Sequence, residues 1–198
     1  LLLAAVMPNW ALALGQIVSY LSGIPVLLVT AYGGLMLVYK SGIEWAPPAR
    51  WMMLSLFGWA VGVVPAIVDG TIHVNKVMHN TMWVPGHFHF YLLVGLLPMI
   101  IGFSLHVFER SRSLDTAAHK LIFNLYAGGA VAFCLTFLVS GWASIPRRWA
   151  SHWESWVPYD RVGTVAAAIV VLSMLVLTVA VLRRVLAGGR PAVHANEG

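Results

Sequence analysis

Eleven residues, His79-Asn80-Thr81-Met82-Trp83-Val84-Pro85-Gly86-His87-Phe88-His89, decide how this chain is read. They open an apolar segment over about 82–108, long enough for a membrane helix. Residues two apart on an α-helix point about 200° away from each other. His87 and His89 are therefore expected on opposite sides of one helix, near one end of it. Two imidazoles set back to back cannot share a metal, but each can hold a different one. Imidazole is the commonest metal ligand and a standard axial ligand of haem iron. One helix holding two haems, with only Phe88 between them, suits electron transfer from one to the other.

Composition reaches the membrane without the motif. Apolar residues make up 60% of the 198 and charged residues 10%, and mean hydropathy is +0.82. Ordinary soluble domains carry about 25% charged residues. Five segments are apolar enough to span, at about 8–39, 51–68, 82–108, 118–142 and 162–186. The expected fold is an all-α integral membrane bundle, with residues 1–198 forming a single membrane domain. Asn9, Gln16, Ser19, Tyr20 and Thr30 make the first span polar enough to pack inside a bundle. The connections are short, and the tail from Gly188 to Gly198 is polar and expected to fray.

Charge placement predicts orientation. Lys40, Arg50, Arg110, Arg112, Lys120, Arg183, Arg184 and Arg190 fall at one set of helix ends; Lys76, Arg147, Arg148 and Arg161 fall at the other. The richer set belongs in the cytoplasm. That puts the N-terminus outside, the C-terminus in the cytoplasm and the histidine pair near the outer face; the membrane expected is the plasma (inner) membrane of a prokaryote. An outside N-terminus beginning at Leu1 without a signal peptide suits the back part of a longer or split subunit. The net charge of +5 is scattered over helix ends and forms no stripe, so nucleic acid is excluded as a partner. Cys134 in an apolar segment carries no disulfide information.

His-Asn-Thr-x-Trp-Val-Pro-Gly-His-Phe-His resembles the tenth transmembrane helix of subunit I of haem-copper oxygen reductases (cytochrome c oxidases). Its wording is closest to the B-type (ba-type) branch. Ile145-Pro146-Arg147-Arg148 matches the family's Pro-Arg-Arg, and Ser22-Gly23-Ile24-Pro25 resembles its eighth helix more loosely. The resemblance covers the chain in order, as the last five helices of a twelve-helix fold.

The resemblance implies that His87 is the axial ligand of a high-spin haem, where oxygen binds. It implies that His89 is one of two axial ligands of a low-spin haem, which receives electrons. Phe88 reads equally as a spacer between the rings or as simple packing. Arg147 and Arg148 suit haem propionates, because arginine binds carboxylates bidentately and stays charged; the competing reading is interfacial snorkelling. His79 reads equally as a loop histidine or as a group above a propionate, near a proton exit. Four residues before it the family often has an aspartate, where this chain has Asn75. An amide cannot carry the proton that a carboxyl can.

The resemblance further implies a copper held by three histidines on helices that precede this portion, so the chain would not ligate it. The expected partners are the rest of subunit I, a subunit II-like electron-entry subunit, cytochrome c or a similar donor (or quinol), and lipid. The expected activity is oxygen reduction coupled to proton translocation in a terminal oxidase, by a complex of which this chain is an incomplete part. A nitric oxide reductase relative is the alternative within the class, although that branch usually reads His-Gly-His. A haem-free scaffold derived from an oxidase is the alternative outside it. His106 invites comparison with di-haem cytochromes b, but the first, second and fifth spans offer no matching histidines. His119, His152 and His194 read as loop or terminal residues. Tyr20, Ser19 and Thr30 read as interhelical hydrogen-bonding groups or as a proton path. Trp10, Trp51, Trp142, Trp149, Trp153 and Trp156 read as an interfacial belt.

Overall fold

A computed structural model describes residues 7–108 and 115–186, the side chains of 108 and 184–186 excepted. The elements are α1 Asn9–Ser41, α2 Pro47–Gly70, the short α3 Ile72–Met78, α4 Trp83–His89, a π-helical segment Phe90–Leu96, α5 Leu97–Phe108, α6 Ala117–Trp142 and α7 Val157–Leu186. The π-helical segment joins α4 and α5 into one span. Among the described residues five helices are thus long and apolar enough to cross a membrane, and no strand is present, as in an all-α, multi-pass membrane bundle. Arg110, Arg112, Arg190, His194, the tail after 187 and the Arg184 side chain lie outside the described residues.

Local chemistry sets the helix ends. α1 stops at Gly42, which takes the left-handed conformation (φ 57°) typical after a helix. α2 starts four residues earlier than hydropathy alone suggests, because Pro47 and Pro48 occupy its first turn, where no N–H is missed. α6 is capped by Thr116, whose hydroxyl accepts the His119 N–H at 3.2 Å. α7 begins at Val157 instead of 162 for similar reasons. Pro158 is tolerated in the first turn, and Asp160 there faces the positive end of the helix dipole.

α1 packs on α2, α2 on the π-helical segment and α5, α4 on α6, and α6 on α7. The core runs through Trp51, Phe90, Val94, Ile101, Tyr126 and Cys134. No residue of α1 is buried. At the cationic end, Arg50 pairs with Asp115 at 2.7 Å and Lys120 approaches the same carboxylate at 3.6 Å. These contacts hold the starts of α2 and α6 together. The Arg50 hydrogen bond keeps the Asp115 carboxyl below the usual carboxylate range.

Two sequence expectations are corrected here, and one of the two readings of Tyr20 is favoured. Trp51 is fully buried, edge-on to Phe123 at 5.1 Å and tilted on Tyr126 at 5.0 Å, so it belongs to the core and not to the interfacial belt. His119 is a buried residue of α6 and accepts the Trp51 indole N–H at 3.3 Å; it is not a loop residue. Tyr20 spends its hydroxyl on Thr71 at 2.5 Å, tying α1 to the end of α2, which is the interhelical reading.

Candidate functional site

The histidine pair rides on α4, and α4 is pressed onto α6 by two glycines. A Cβ at Gly86 would meet Leu138 Cδ2 at 2.8 Å and its backbone N at 3.0 Å; one at Gly141 would strike the backbone of Trp83. Only hydrogen at both positions lets the helices approach this closely. Trp83 also reaches sideways, its indole N–H donating to the Pro65 carbonyl of α2 at 3.3 Å.

The two imidazoles have different neighbours. His89 lies against α6, its ring 5.5 Å from Phe133 and 5.3 Å from Phe137. His87 lies against Tyr91, ring centroids 6.3 Å apart and nearly perpendicular. Phe88 is exposed, edge-on to His89 at 5.8 Å.

His89 Nδ1 stands 2.6 Å from the Pro85 carbonyl. A carbonyl can only accept, so Nδ1 carries the proton and Nε2 keeps its lone pair for a metal. His87 Nδ1 is buried with no hydrogen-bond partner in the described structure. Among the described residues, no three histidine, cysteine, aspartate or glutamate side chains lie together as a metal site.

Immediately below the pair the helix widens. The Leu97 N–H donates to the Leu92 carbonyl, five residues back, as a π-turn requires. The next donor in that register would be residue 98, but Pro98 has no N–H. The Leu93 carbonyl is instead taken by the buried Tyr126 hydroxyl at 2.6 Å. Sequence reading missed this segment; its signal was Pro98 inside the span, nine residues after His89.

The arginine motif is folded onto the histidine motif. Thr81 and Pro146 form an antiparallel bridge. The Met82 N–H donates to the Ile145 carbonyl and the Arg147 N–H to the Asn80 carbonyl, both at 2.9 Å. The intervening turn needs unusual backbone, with Ser144 at φ 62° and Arg148 at φ 69°. Non-glycine residues held there cost on the order of 1 kcal/mol each and persist only where the surroundings enforce them. Among the described residues Arg147 Nε is buried without a hydrogen-bond partner, whereas Arg148 is exposed. His79 is the half-buried C-cap of α3, its N–H donating to the Asn75 carbonyl at 2.9 Å. His79, Arg147, Arg148 and the start of the histidine helix thus share one end of the bundle. His106 lies exposed toward the other end of the span, and His152 pairs with Asp160 at 2.7 Å in the loop before α7.

This donor set suits haem. One imidazole has a fixed tautomer with Nε2 free, a second has a ring nitrogen in want of a partner, and a buried guanidinium N–H can receive a propionate.

The family model described as "Cytochrome C and Quinol oxidase polypeptide I" matches residues 2–182. Haem-copper oxidase subunit I+III of Aeropyrum pernix is 26% identical over 157 residues, covering 78% of this chain and 19% of that protein. Cytochrome c oxidase subunit 1 of Theileria annulata is 26% identical over 133 residues, covering 66% of this chain and 27% of that protein. Cytochrome c oxidase subunit 1 of Thermus thermophilus is 46% identical over 37 residues, covering 19% of this chain and 34% of that protein. The chain therefore spans about a fifth to a quarter of the length of the first two relatives. A match over nearly its whole length makes it a member of the cytochrome c and quinol oxidase polypeptide I family.

Proposed function

We propose that this chain is the haem-holding, C-terminal five-helix part of a B-type-like terminal oxidase subunit I. The carrying observation is the helix Trp83–His89, which gives two imidazoles to two different neighbourhoods and leaves Nε2 of His89 free. His87 would hold a high-spin haem and His89 a low-spin haem, with Phe88 between them. Arg147 and Arg148 would bind propionates, and His79 would stand above them. Bound there, the two haems supply electron transfer and an oxygen-binding iron.

The protein's part is to fix positions. The Pro85 carbonyl orients the His89 ring. Phe133 and Phe137 pack against it. The bridge between Thr81 and Pro146 holds Arg147 at the mouth of the site. Copper and the second ligand of the low-spin haem would come from the remaining part of subunit I. Electrons would come from a cytochrome c or similar donor through a subunit II-like partner, and oxygen reduction would be coupled to proton translocation. The chain would sit in a prokaryotic plasma membrane; the distribution of Lys and Arg favours an outside N-terminus.

The test is a pyridine haemochrome assay with optical spectroscopy on the purified complex. The expected result is two haems, one low-spin and one high-spin. A complex containing this chain but no haem would defeat the proposal.

A further inference from the structure

The seam between α6 and α7 is closed at one glycine and open at the next. At Gly129 the helices touch: a Cβ there would meet Ile169 Cγ2 at 2.9 Å and the Ala166 carbonyl oxygen at 3.3 Å. At Gly128 a Cβ would meet nothing within 4 Å. Here a groove of about 390 Å³ runs along the seam, lined by Gly128, Gly129 and Ala132 of α6 and by Arg161, Val165 and Ile169 of α7. Arg161 is its one polar lining residue and stands at its end nearest the start of α7. The groove opens on the outside of the described bundle, where Val165 is 61% exposed.

Arg161 lies one turn inside α7, at the same end of the bundle as Arg147 and Arg148. A cation at that depth is costly unless its head reaches the headgroup layer or a counter-charge. Its acidic neighbour does not supply one: Asp160 points about 100° away around the helix, and its carboxylate is taken by His152 at 2.7 Å. Among the described residues Arg161 makes no ion pair. The headgroup layer is marked just before α7, where Trp153 stacks on Trp156 at 4.7 Å and Trp149 meets Trp156 at 6.1 Å; tryptophans of this kind sit at the membrane–water boundary.

Size decides between a lipid chain and another helix. From Arg161 to Ile169 the groove follows α7 for about 12 Å, and a helix segment of that length, about 10 Å across, fills on the order of 900 Å³. The groove holds less than half of that. It admits a slender apolar chain, with a cation waiting where the polar end of that chain would lie. Basic pockets between membrane helices suit anionic headgroups, and a guanidinium pairs with phosphate through parallel hydrogen bonds.

We infer that the groove between α6 and α7 seats one acyl chain of an anionic phospholipid, whose phosphate is bound by Arg161. The apolar stem of Arg161 lies along the groove and its guanidinium reaches up to the headgroup. A zwitterionic lipid would carry its own cation to the same place, so the site prefers an anionic one.

The experiment uses the complete oxidase complex in vesicles of phosphatidylcholine and phosphatidylglycerol in equal parts. A trace of either lipid with a photoreactive diazirine on its acyl chain is the probe, and mass spectrometry reads the label on peptides holding residues 128–132 and 161–169. In wild type the phosphatidylglycerol probe should label these peptides several-fold more than the phosphatidylcholine probe. Arg161→Gln should make the two probes equal, with haem spectra and unfolding midpoint unchanged. Gly128→Leu, which grows a side chain into the open groove, should lower labelling by both probes several-fold. Equal labelling by the two probes in wild type, or a preference that survives Arg161→Gln, would overturn the inference. Peptides that neither probe labels would also overturn it, because another protein segment would then cover the groove. If Arg161→Gln does not assemble, Gly128→Leu decides: a several-fold loss of phosphatidylglycerol labelling supports the site, and unchanged labelling overturns it.

Discussion

The backbone N–H of Arg147 donates to the carbonyl of Asn80 across 2.9 Å, joining two segments more than sixty residues apart. This contact registers the arginine turn against the histidine helix, and among the described residues Arg147 Nε has no hydrogen-bond partner although it is buried. A partly desolvated guanidinium beside a haem favours the reduced, more negative form. Arg147→Leu should therefore lower the haem midpoint potentials, by on the order of 1 kcal/mol or more, since partly buried charges interact more strongly than exposed pairs. Arg148→Leu, at an exposed position, should act in the same direction and less. Redox titration of each variant reads this; potentials unmoved in both would remove the propionate role.

Gly141 faces the backbone of Trp83 so closely that a methyl group has no room. Gly141→Ala should push α4 away from α6 and cost about 1–3 kcal/mol, as overpacking does. Thermal unfolding of the complex in detergent should show a lowered midpoint, and the rings of His89 and Phe137 should lose their present spacing. A midpoint equal to wild type would mean that the helices are not in this contact.

Tyr126→Phe removes the side-chain donor to the Leu93 carbonyl, in a register where Pro98 has no N–H to give. An unpartnered buried carbonyl costs about 1–3 kcal/mol. The expected outcome is a lower unfolding midpoint with the fold retained. No loss would show that water or another group satisfies the π-helical segment.

Asp115 gives a pH dependence. Its carboxyl is lowered chiefly by the Arg50 hydrogen bond. A carboxyl depressed in the folded state stabilises at pH above its unfolded value of about 3.9, and that contribution is lost as pH falls through the folded value. Asp115→Asn should therefore unfold at a lower temperature than wild type near neutral pH. The gap should close in acid, and should shrink with added salt because the group is exposed. A gap that widened on acidification would contradict the pairing.

Much of this architecture was legible in the sequence. Spans are written in long apolar runs, and the histidine spacing of two fixes opposite facings on any α-helix. What escaped reading is non-local. Trp51 looks like any tryptophan at a span end, and only its contact with Tyr126 and His119 makes it core. The π-helical segment depends on a donor from another helix. Asn75 alone suggested that a carboxyl was lost; Asp69, six residues earlier, is brought back to it only because α2 ends at Gly70 and α3 turns the chain. Hydropathy starts α7 five residues late because Pro158 and Asp160 look disruptive or polar in a hydropathy window, although both suit a first helical turn.

The central claim is that one helix ligates two haems through His87 and His89. Optical and electron paramagnetic resonance spectra of the complex carrying His89→Ala or His87→Ala test it most directly. His89→Ala should abolish the low-spin signal and spare high-spin iron, while His87→Ala should abolish the high-spin signal and oxygen consumption. Two variants that both kept the full pair of wild-type haem signals would contradict it.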